Sequence, residues 1–456
     1  MIKRRNFLPL MALTAISTAL HPAANASAAS DRRQPLRGTL PPEHEDTLTK
    51  SSVAPGADLA KALAKAVREG RTLMLEAGDY AVSDLDLPDG AHLTGIPGAT
   101  RLIYKGGGSF LRTQGSGRVS LQGLIIDGAG RPLAPDSPAL LHARAVDRLT
   151  IANCQFQDAS ASAIQLEGCS ARLTNNSILR AADYALYALD GAATEITGNQ
   201  VDDCGNGGIL VHRRAKGYDG TIVTGNRLTN IRAVQGGTGP FGNAINTYRA
   251  DNVMISNNHI RGAAFSAIRA NASSGVQIIG NQCLASGETA IYSEFGFEGA
   301  IVNGNLIDGA ANGISVVNFD TGGRLAVISG NIIRNISDRG PYVHDVAGFG
   351  FGLAVEADAS VTGNVIENAA RAGLLLGWGP YLRDVVVSGN VVRKVPTGCM
   401  VTVVEGAGRA TITNNLFEAT AKGAIIGYRW LDAASGELAR GSQQFPHLTI
   451  ANNSLG

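Results

Sequence analysis

The chain has 456 residues, a formal net charge of +1 and only 17% charged residues, with 57 glycines. A balance so near neutral gives bulk electrostatics no reason to favour nucleic acid or a membrane surface. Many glycines and few charges also fit a chain of many turns and few helices, and any charge preference must come from a local patch.

Residues 1–26 read as a targeting segment. Lys3-Arg4-Arg5-Asn6-Phe7-Leu8 precedes a mild apolar run and the small-residue site Ala24-Asn25-Ala26. Arg4 and Arg5, followed by Phe7 and Leu8, resemble the twin-arginine export signal, which implies the twin-arginine machinery as a partner and export of a folded protein. The alternative is an ordinary secretory signal with two arginines. Either places the mature protein in the periplasm or outside the cell. The run is too short to remain as a membrane anchor after processing. Residues 27–54 are polar and Pro-rich and read as a flexible leader that includes His44.

Residues 55–456 read as one domain. Asp58 is placed to cap a helix over about 58–69, with Leu59, Leu63 and Val67 on one face and Gly70 ending it. An open sheet edge must be covered, and this amphipathic helix is the expected N-terminal cap.

A short phrase then keeps returning: ITGNQV at 196–201, VTGNRL at 223–228, IIGNQC at 278–283, VNGNLI at 302–307. It recurs at intervals of roughly 22 to 27 residues, a few stretched to the thirties, which signals a solenoid. Inside the unit, 161–167 (ASAIQLE) and 290–294 (AIYSE) alternate with the period of a strand. The expected fold is all-β, a right-handed parallel β-helix of about 12 to 13 coils with three strands each. Gly or Asn before the key Asn tolerates left-handed backbone angles at a bend. The Asn residues themselves are expected to stack as an amide ladder at ~4.8 Å spacing. The five cysteines have no close-paired spacing and read as small buried hydrophobes.

The opening elements, Thr72-Leu73-Met74-Leu75, then Gly78-Asp79-Tyr80, then Leu93-Thr94-Gly95, follow the helix. This order resembles the first coil of the pectate-lyase-like β-helix superfamily. With the export signal and the Gly-Asn repeats, the chain resembles the twin-arginine-exported β-helix repeat proteins of bacteria, a family without an assigned function. The resemblance implies the fold and no particular activity.

In such a fold the outward positions of one strand row stack into columns. Aligning the strand after each phrase gives inward Ile164, Leu186, Ile209, Ile245, Ile268, Ile291, Ile314, Leu353 and Leu374. The outward neighbours form a first column: Gln165, Tyr187, Leu210, Asn246, Arg269, Tyr292, Ser315, Ala354, Leu375. A second holds Glu167, Ala188 or Leu189, His212, Tyr248, Asn271, Glu294, Val317, Glu356 and Gly377. Both columns are polar in the middle and apolar toward the C-terminus. A Pro/Gly-rich stretch at 127–138 lengthens one coil. The excursions at 231–243 and 338–352 are expected to wall a groove; the second carries His344 and Asp345.

With Arg213, Arg214, Lys216 and Arg249 nearby, this centre reads as a basic strip lined by Tyr248 and Tyr292, suited to an acidic polysaccharide. Lyase or C5-epimerase chemistry needs a cation for the carboxylate, a base and an acid. Arg269 or Arg213 supplies the first, His212 the second and Tyr248 the third, with Asn246, Arg249, Tyr292 and Trp378 as further sugar contacts. Trp378 serves equally as a corner filler. A rival reading is a non-catalytic envelope protein that binds glycan or protein along the same ladder, with the apolar columns as docking face. A third is a glycoside hydrolase pairing Glu294 with Glu356 or Asp320. His92, His142, His259 and His447 lack metal-ligand spacing, and neither metal nor other cofactor is expected.

Overall fold

The bends before the key asparagines shape the coil. In this computed structural model, which describes residues 49–237, 239–343, 347–441 and 444–456, the residue ahead of each Asn is left-handed. Gly198 has φ 68°, Gly225 64° and Asn257 54°. Glycine and asparagine visit that region at least cost. Each following Asn up to Asn415 is buried, and its amide meets the next coil. Asn258 Nδ2 donates to Asn281 Oδ1 at 2.9 Å, and the Asn258 backbone N–H donates to the same oxygen at 3.0 Å. The other amide hydrogen reaches the Val223 carbonyl at 3.0 Å. The ladder runs unbroken from Asn176 to Asn453. At its head the Cys154 N–H donates to Asn176 Oδ1 at 2.9 Å.

Among the described residues the strands form two sheets, of sixteen and twenty-eight strands, the larger holding two rows per coil, and the pairing is parallel except at one C-terminal hairpin. The fold is a right-handed parallel β-helix of about 15 turns. That exceeds the expected number because the phrase is lost toward the N-terminus while the strands continue: Lys50–Val53, Thr72–Leu75 and Ala91–Thr94 all belong to the smaller sheet. The inward column pairs residue for residue from Ile164 to Leu374. Every member is buried, at about 1.5–3 kcal/mol per fully buried aliphatic side chain. All five cysteines are buried free thiols. Burial pushes Cys154, Cys204 and Cys283 up to about 12, so they stay protonated and unreactive.

The helix α1 spans Leu59–Arg68, with the Lys61 N–H donating to Asp58 Oδ1 at 3.1 Å. Leu59, Leu63 and Ala66 enter the core, while Val67 is only partly buried. Ahead of α1, residues assigned to a flexible leader form the strand Lys50–Val53, which pairs with Thr72–Leu75. The sheet therefore begins before residue 55. The export segment with Arg4 and Arg5, His44, and the pair His344 and Asp345 lie outside the described residues.

At the other end the strand Leu416–Arg429 turns into Asp432–Glu437, the antiparallel arm of a hairpin. Leu438 is buried in the core behind it. Residues 432–438 thus lie against this end of the solenoid.

Candidate functional site

The strand row that carries the candidate residues is registered as the alternation predicts. Gln165 pairs with Tyr187, Leu210 with Asn246, Asn246 with Arg269 and Arg269 with Tyr292. In the second column Glu167 pairs with Leu189, His212 with Tyr248 and Asn271 with Glu294. Leu189, rather than Ala188, holds that place.

Register does not ensure exposure. Arg269 is 6% exposed and Glu294 2%. Arg269 Nε donates to Glu294 Oε1 at 2.6 Å, and its Nη1 lies 3.5 Å from Glu288 Oε2. Asn271 Nδ2 also donates to Glu294 Oε1, at 2.9 Å. Glu288 is itself buried and accepts the Tyr342 hydroxyl at 2.6 Å. Tyr342 comes from the 338–352 excursion and packs with Phe265 and Phe349. Burial acts against the Arg269 charge, but the two carboxylates outweigh it and hold the guanidinium well above its ordinary pKa. Burial pushes the Glu294 carboxyl up while Arg269 pulls it down. Arg269 and Glu294 therefore form a closed ion cluster, not two groups facing solvent.

The other cations are also committed. Arg213 Nη1 donates to the Gly191 carbonyl at 2.9 Å and lies 3.6 Å from the buried Asp219 carboxylate. Arg214 pairs with Asp190 at 2.5 Å and Glu167 at 3.2 Å. Lys216 pairs with Asp251 at 2.9 Å. The expected basic strip is thus mostly neutralised, because these cations meet carboxylates from the adjoining turn or from neighbouring coils. Arg249 differs: it is exposed, lies 4.8 Å over the Tyr248 ring and donates to the Arg214 carbonyl at 2.8 Å. It has no carboxylate partner among the described residues.

His212 is nearly as closed to solvent as Arg269, at 8% exposed, and sits edge-on to Tyr187 and Tyr248, with ring centres at 5.2 and 5.7 Å. Its Nε2 is 2.6 Å from Asn246 Oδ1. Asn246 Nδ2 donates to the Arg269 carbonyl at 3.2 Å. A carbonyl only accepts, so Oδ1 must face His212 and His212 Nε2 must carry the proton. Nδ1 then holds the lone pair. Burial lowers the imidazole to about 4 against the upward pull of Asn246, so it is neutral near pH 7. Tyr187, Tyr248 and Tyr292 are half-buried along the same row.

Several expectations do not survive. Trp378 is 4% exposed and meets Trp430 edge-on at 5.4 Å, so it fills a corner. Glu356 is buried and accepts the N–H groups of Asn318 and Phe319 at 2.7 and 2.8 Å, which fixes the 3-10 turn Phe319–Thr321. Its Oε2 is thus held by backbone N–H groups, and Asp320 lies exposed in that turn. The apolar columns Ala354 and Leu375 belong to a second small core with Phe351, Ala372 and Met400, so they are no docking face. Among the described residues, no group of three or more His, Cys, Asp or Glu is placed to hold a metal. No helix there is long and apolar enough to cross a membrane.

The strand row also carries residues the sequence reading passed over. Tyr184 stacks on Phe241 of the 231–243 excursion at 6.5 Å. On the other side of Tyr184 a cleft of about 580 Å³ opens beneath residues 132–138, with Gln165, Asp183 and Tyr187 in its walls. The 127–138 excursion therefore walls a cleft of its own. Glu288 was missed because it precedes its strand and stands outside both columns.

Residues 139–333 match the family model described as a right handed beta helix region. No curated protein matches the sequence. Among solved structures, the bacteriophage Phi29 gene product 12 N-terminal fragment is 12% identical with a TM-score of 0.47, covering 88% of this chain and 64% of that one. The chain thus spans less than two thirds of that fragment. A mannuronic acid specific polysaccharide family 6 lyase from human gut microbiota is 12% identical, with a TM-score of 0.42 and coverage of 82% and 87%. The periplasmic alginate epimerase AlgG is 10% identical, with a TM-score of 0.42 and coverage of 90% and 84%.

Proposed function

We propose that this protein is an exported carbohydrate-active β-helix, a lyase or C5-epimerase on an acidic polysaccharide bound along the Tyr187–Tyr248–Tyr292 row. The observation that carries the reading is His212: a neutral imidazole, its Nε2 tied to Asn246, lying between two tyrosine rings and one residue pair from an uncommitted cation. Tyrosine faces stack on pyranose rings. Arg249, rather than Arg269 or Arg213, pairs with the uronate carboxylate. His212 Nδ1 takes the C5 proton, and Tyr248 gives one to the leaving oxygen in elimination or to the opposite face of C5 in epimerisation. The imidazolium formed is disfavoured by burial, and the incoming carboxylate offsets this by raising the His212 pKa. Export to the periplasm or beyond, by the twin-arginine route, belongs to the same proposal and rests on residues 1–26.

The test is incubation with alginate, pectate and glucuronan. Unsaturated uronate ends are followed by absorbance and C5 exchange by NMR in heavy water. The expected result is turnover that falls by about 10²- to 10⁴-fold in His212→Gln, the usual range for a lost general base. Glutamine keeps a donor toward Asn246.

A second reading is a glycan-binding scaffold without chemistry. It is favoured by the pairing of Arg213, Arg214, Lys216 and Arg269 with carboxylates, which leaves little positive charge for a polyuronate. Binding without turnover, unchanged in His212→Gln, decides for it.

A further inference from the structure

The cleft beneath residues 132–138 differs in chemistry from the row beside it. About 580 Å³ lies between Tyr184 and Tyr187 on one side and a proline-rich wall on the other, a volume in the ordinary range for small-ligand sites. No Lys, Arg or His lines it, and its one charged group is Asp183. A uronate carboxylate entering here would meet like charge and no cation.

The remaining groups suit a neutral sugar. The Tyr184 and Tyr187 rings lie 5.7 Å apart at 54°, presenting two differently inclined faces. Asp183 accepts Asn206 Nδ2 at 3.0 Å. A carboxylate has about four lone-pair sites, so acceptor capacity remains for sugar hydroxyls. Gln165 and the Ser160 hydroxyl add further polar contacts.

The wall is built in advance. Pro132, Pro135 and Pro138 fix three backbone φ angles. Arg131 Nη1 donates to the Tyr104 and Lys105 carbonyls at 3.0 and 2.8 Å, and the Ala134 N–H donates to the Gly108 carbonyl at 2.9 Å. The Leu133 N–H reaches Ser160 Oγ at 3.3 Å. Little ordering remains for a ligand to impose.

We propose that this cleft is a subsite for a neutral, hydroxyl-rich pyranose, so that the glycan recognised carries uncharged sugars next to its acidic units. This rests on reading the face as glycan-binding and adds the class of sugar at one end. The uronan assay depends on His212 and Arg249, whereas this subsite depends on Tyr184 and the 132–138 wall, so either can fail alone.

The test uses the full chain with cellotetraose, mannotetraose and maltotetraose as neutral probes and tetragalacturonate as the acidic one. Saturation-transfer NMR and calorimetry read binding. The expected result is transfer to at least one neutral tetrasaccharide, weakened about fivefold in Tyr184→Ala, since one stacked ring contributes about 1 kcal/mol and tenfold is 1.4 kcal/mol. Ala161→Trp fills the cleft from a partly exposed position and should abolish transfer, while Tyr184→Phe, which keeps the ring, should retain it. An unchanged circular dichroism melt guards against misfolding. Absence of transfer to all three neutral probes overturns the proposal. So does transfer that persists undiminished in Ala161→Trp, or equal loss of tetragalacturonate binding in Tyr184→Ala.

Discussion

Arg269 Nε and Glu294 Oε1 lie 2.6 Å apart in a place almost closed to solvent. The contact joins two side chains that the column alignment sets on separate rows, and Glu288 completes the cluster from the other side of the guanidinium. Burying three charges is costly unless each has its partners, and removing one partner is worse than removing all.

Arg269→Met should therefore destabilise the protein by about 3–5 kcal/mol, because two buried glutamates lose their counter-charge. The triple replacement Glu288→Leu, Arg269→Met, Glu294→Leu should cost less than Arg269→Met alone. Urea midpoints of the parent, the single and the triple variant check this. A triple variant less stable than the single would show that the cluster contributes net stability.

His212 gives a pH dependence of defined sign. Its pKa is lowered to about 4 in the fold from 6.5. Between those values the unfolded chain binds a proton that the folded chain does not, so stability falls as pH drops through that window. The full difference, about 2.5 pH units, corresponds to about 3 kcal/mol. In His212→Gln this component should vanish. The measurement is the difference between parent and variant in urea midpoint at pH 7, 5.5 and 4, which cancels the other titrating groups. A difference that stays constant with pH would contradict the buried neutral imidazole.

These two sites mark what the sequence could and could not disclose. Strand alternation places every other side chain on one face, so Ile164 to Leu374 and the residues beside them could be aligned from spacing alone. What alternation cannot give is what covers a column. Arg269 stands in the outward column, yet Glu288, Glu294 and Tyr342 enclose it, and Tyr342 arrives from a loop 54 residues beyond Glu288. The partners of Arg213, Arg214 and Lys216 lie on turns or neighbouring coils, where sequence spacing carries no contact information. Tyr184 has the inward parity of Leu186, but it begins its strand at a bend, where alternation no longer predicts direction. Glu437 and Glu356 likewise act on backbone N–H groups, which leave no trace in a side-chain pattern.

The asparagine ladder predicts a gradient of sensitivity along the solenoid. Asn281 Oδ1 accepts two hydrogens from Asn258, and its amide donates to Asn305 Oδ1 and to the Ile255 and Ile279 carbonyls. Asn281→Ala leaves several buried groups unsatisfied, at about 1–3 kcal/mol each. Asn453, at the last rung, is only partly buried, and the same change there leaves fewer groups stranded. Thermal midpoints should fall well below the parent in Asn281→Ala and only slightly in Asn453→Ala. Equal shifts would argue that the rungs do not share their load through the stack.

The C-terminal cover predicts a change in association. An open sheet edge presents N–H and C=O groups to any other strand. Here Glu437 reaches back over the edge of Leu416–Arg429: its carboxylate accepts the N–H groups of Ala424 at 2.6 Å, Ile425 at 3.1 Å and Ala439 at 2.9 Å. It takes the place that carbonyls of a further coil would fill, and it adds a charge where a stacking strand would need a neutral partner. Glu437→Ala removes both effects while leaving Leu438 in the core. The expected outcome is concentration-dependent association, seen by light scattering, with an almost unchanged melt at low concentration. Glu437→Gln keeps acceptor capacity without charge and should fall between the two. If Glu437→Ala stays as dispersed as the parent at every concentration, the hairpin 432–437 alone is enough to block the edge.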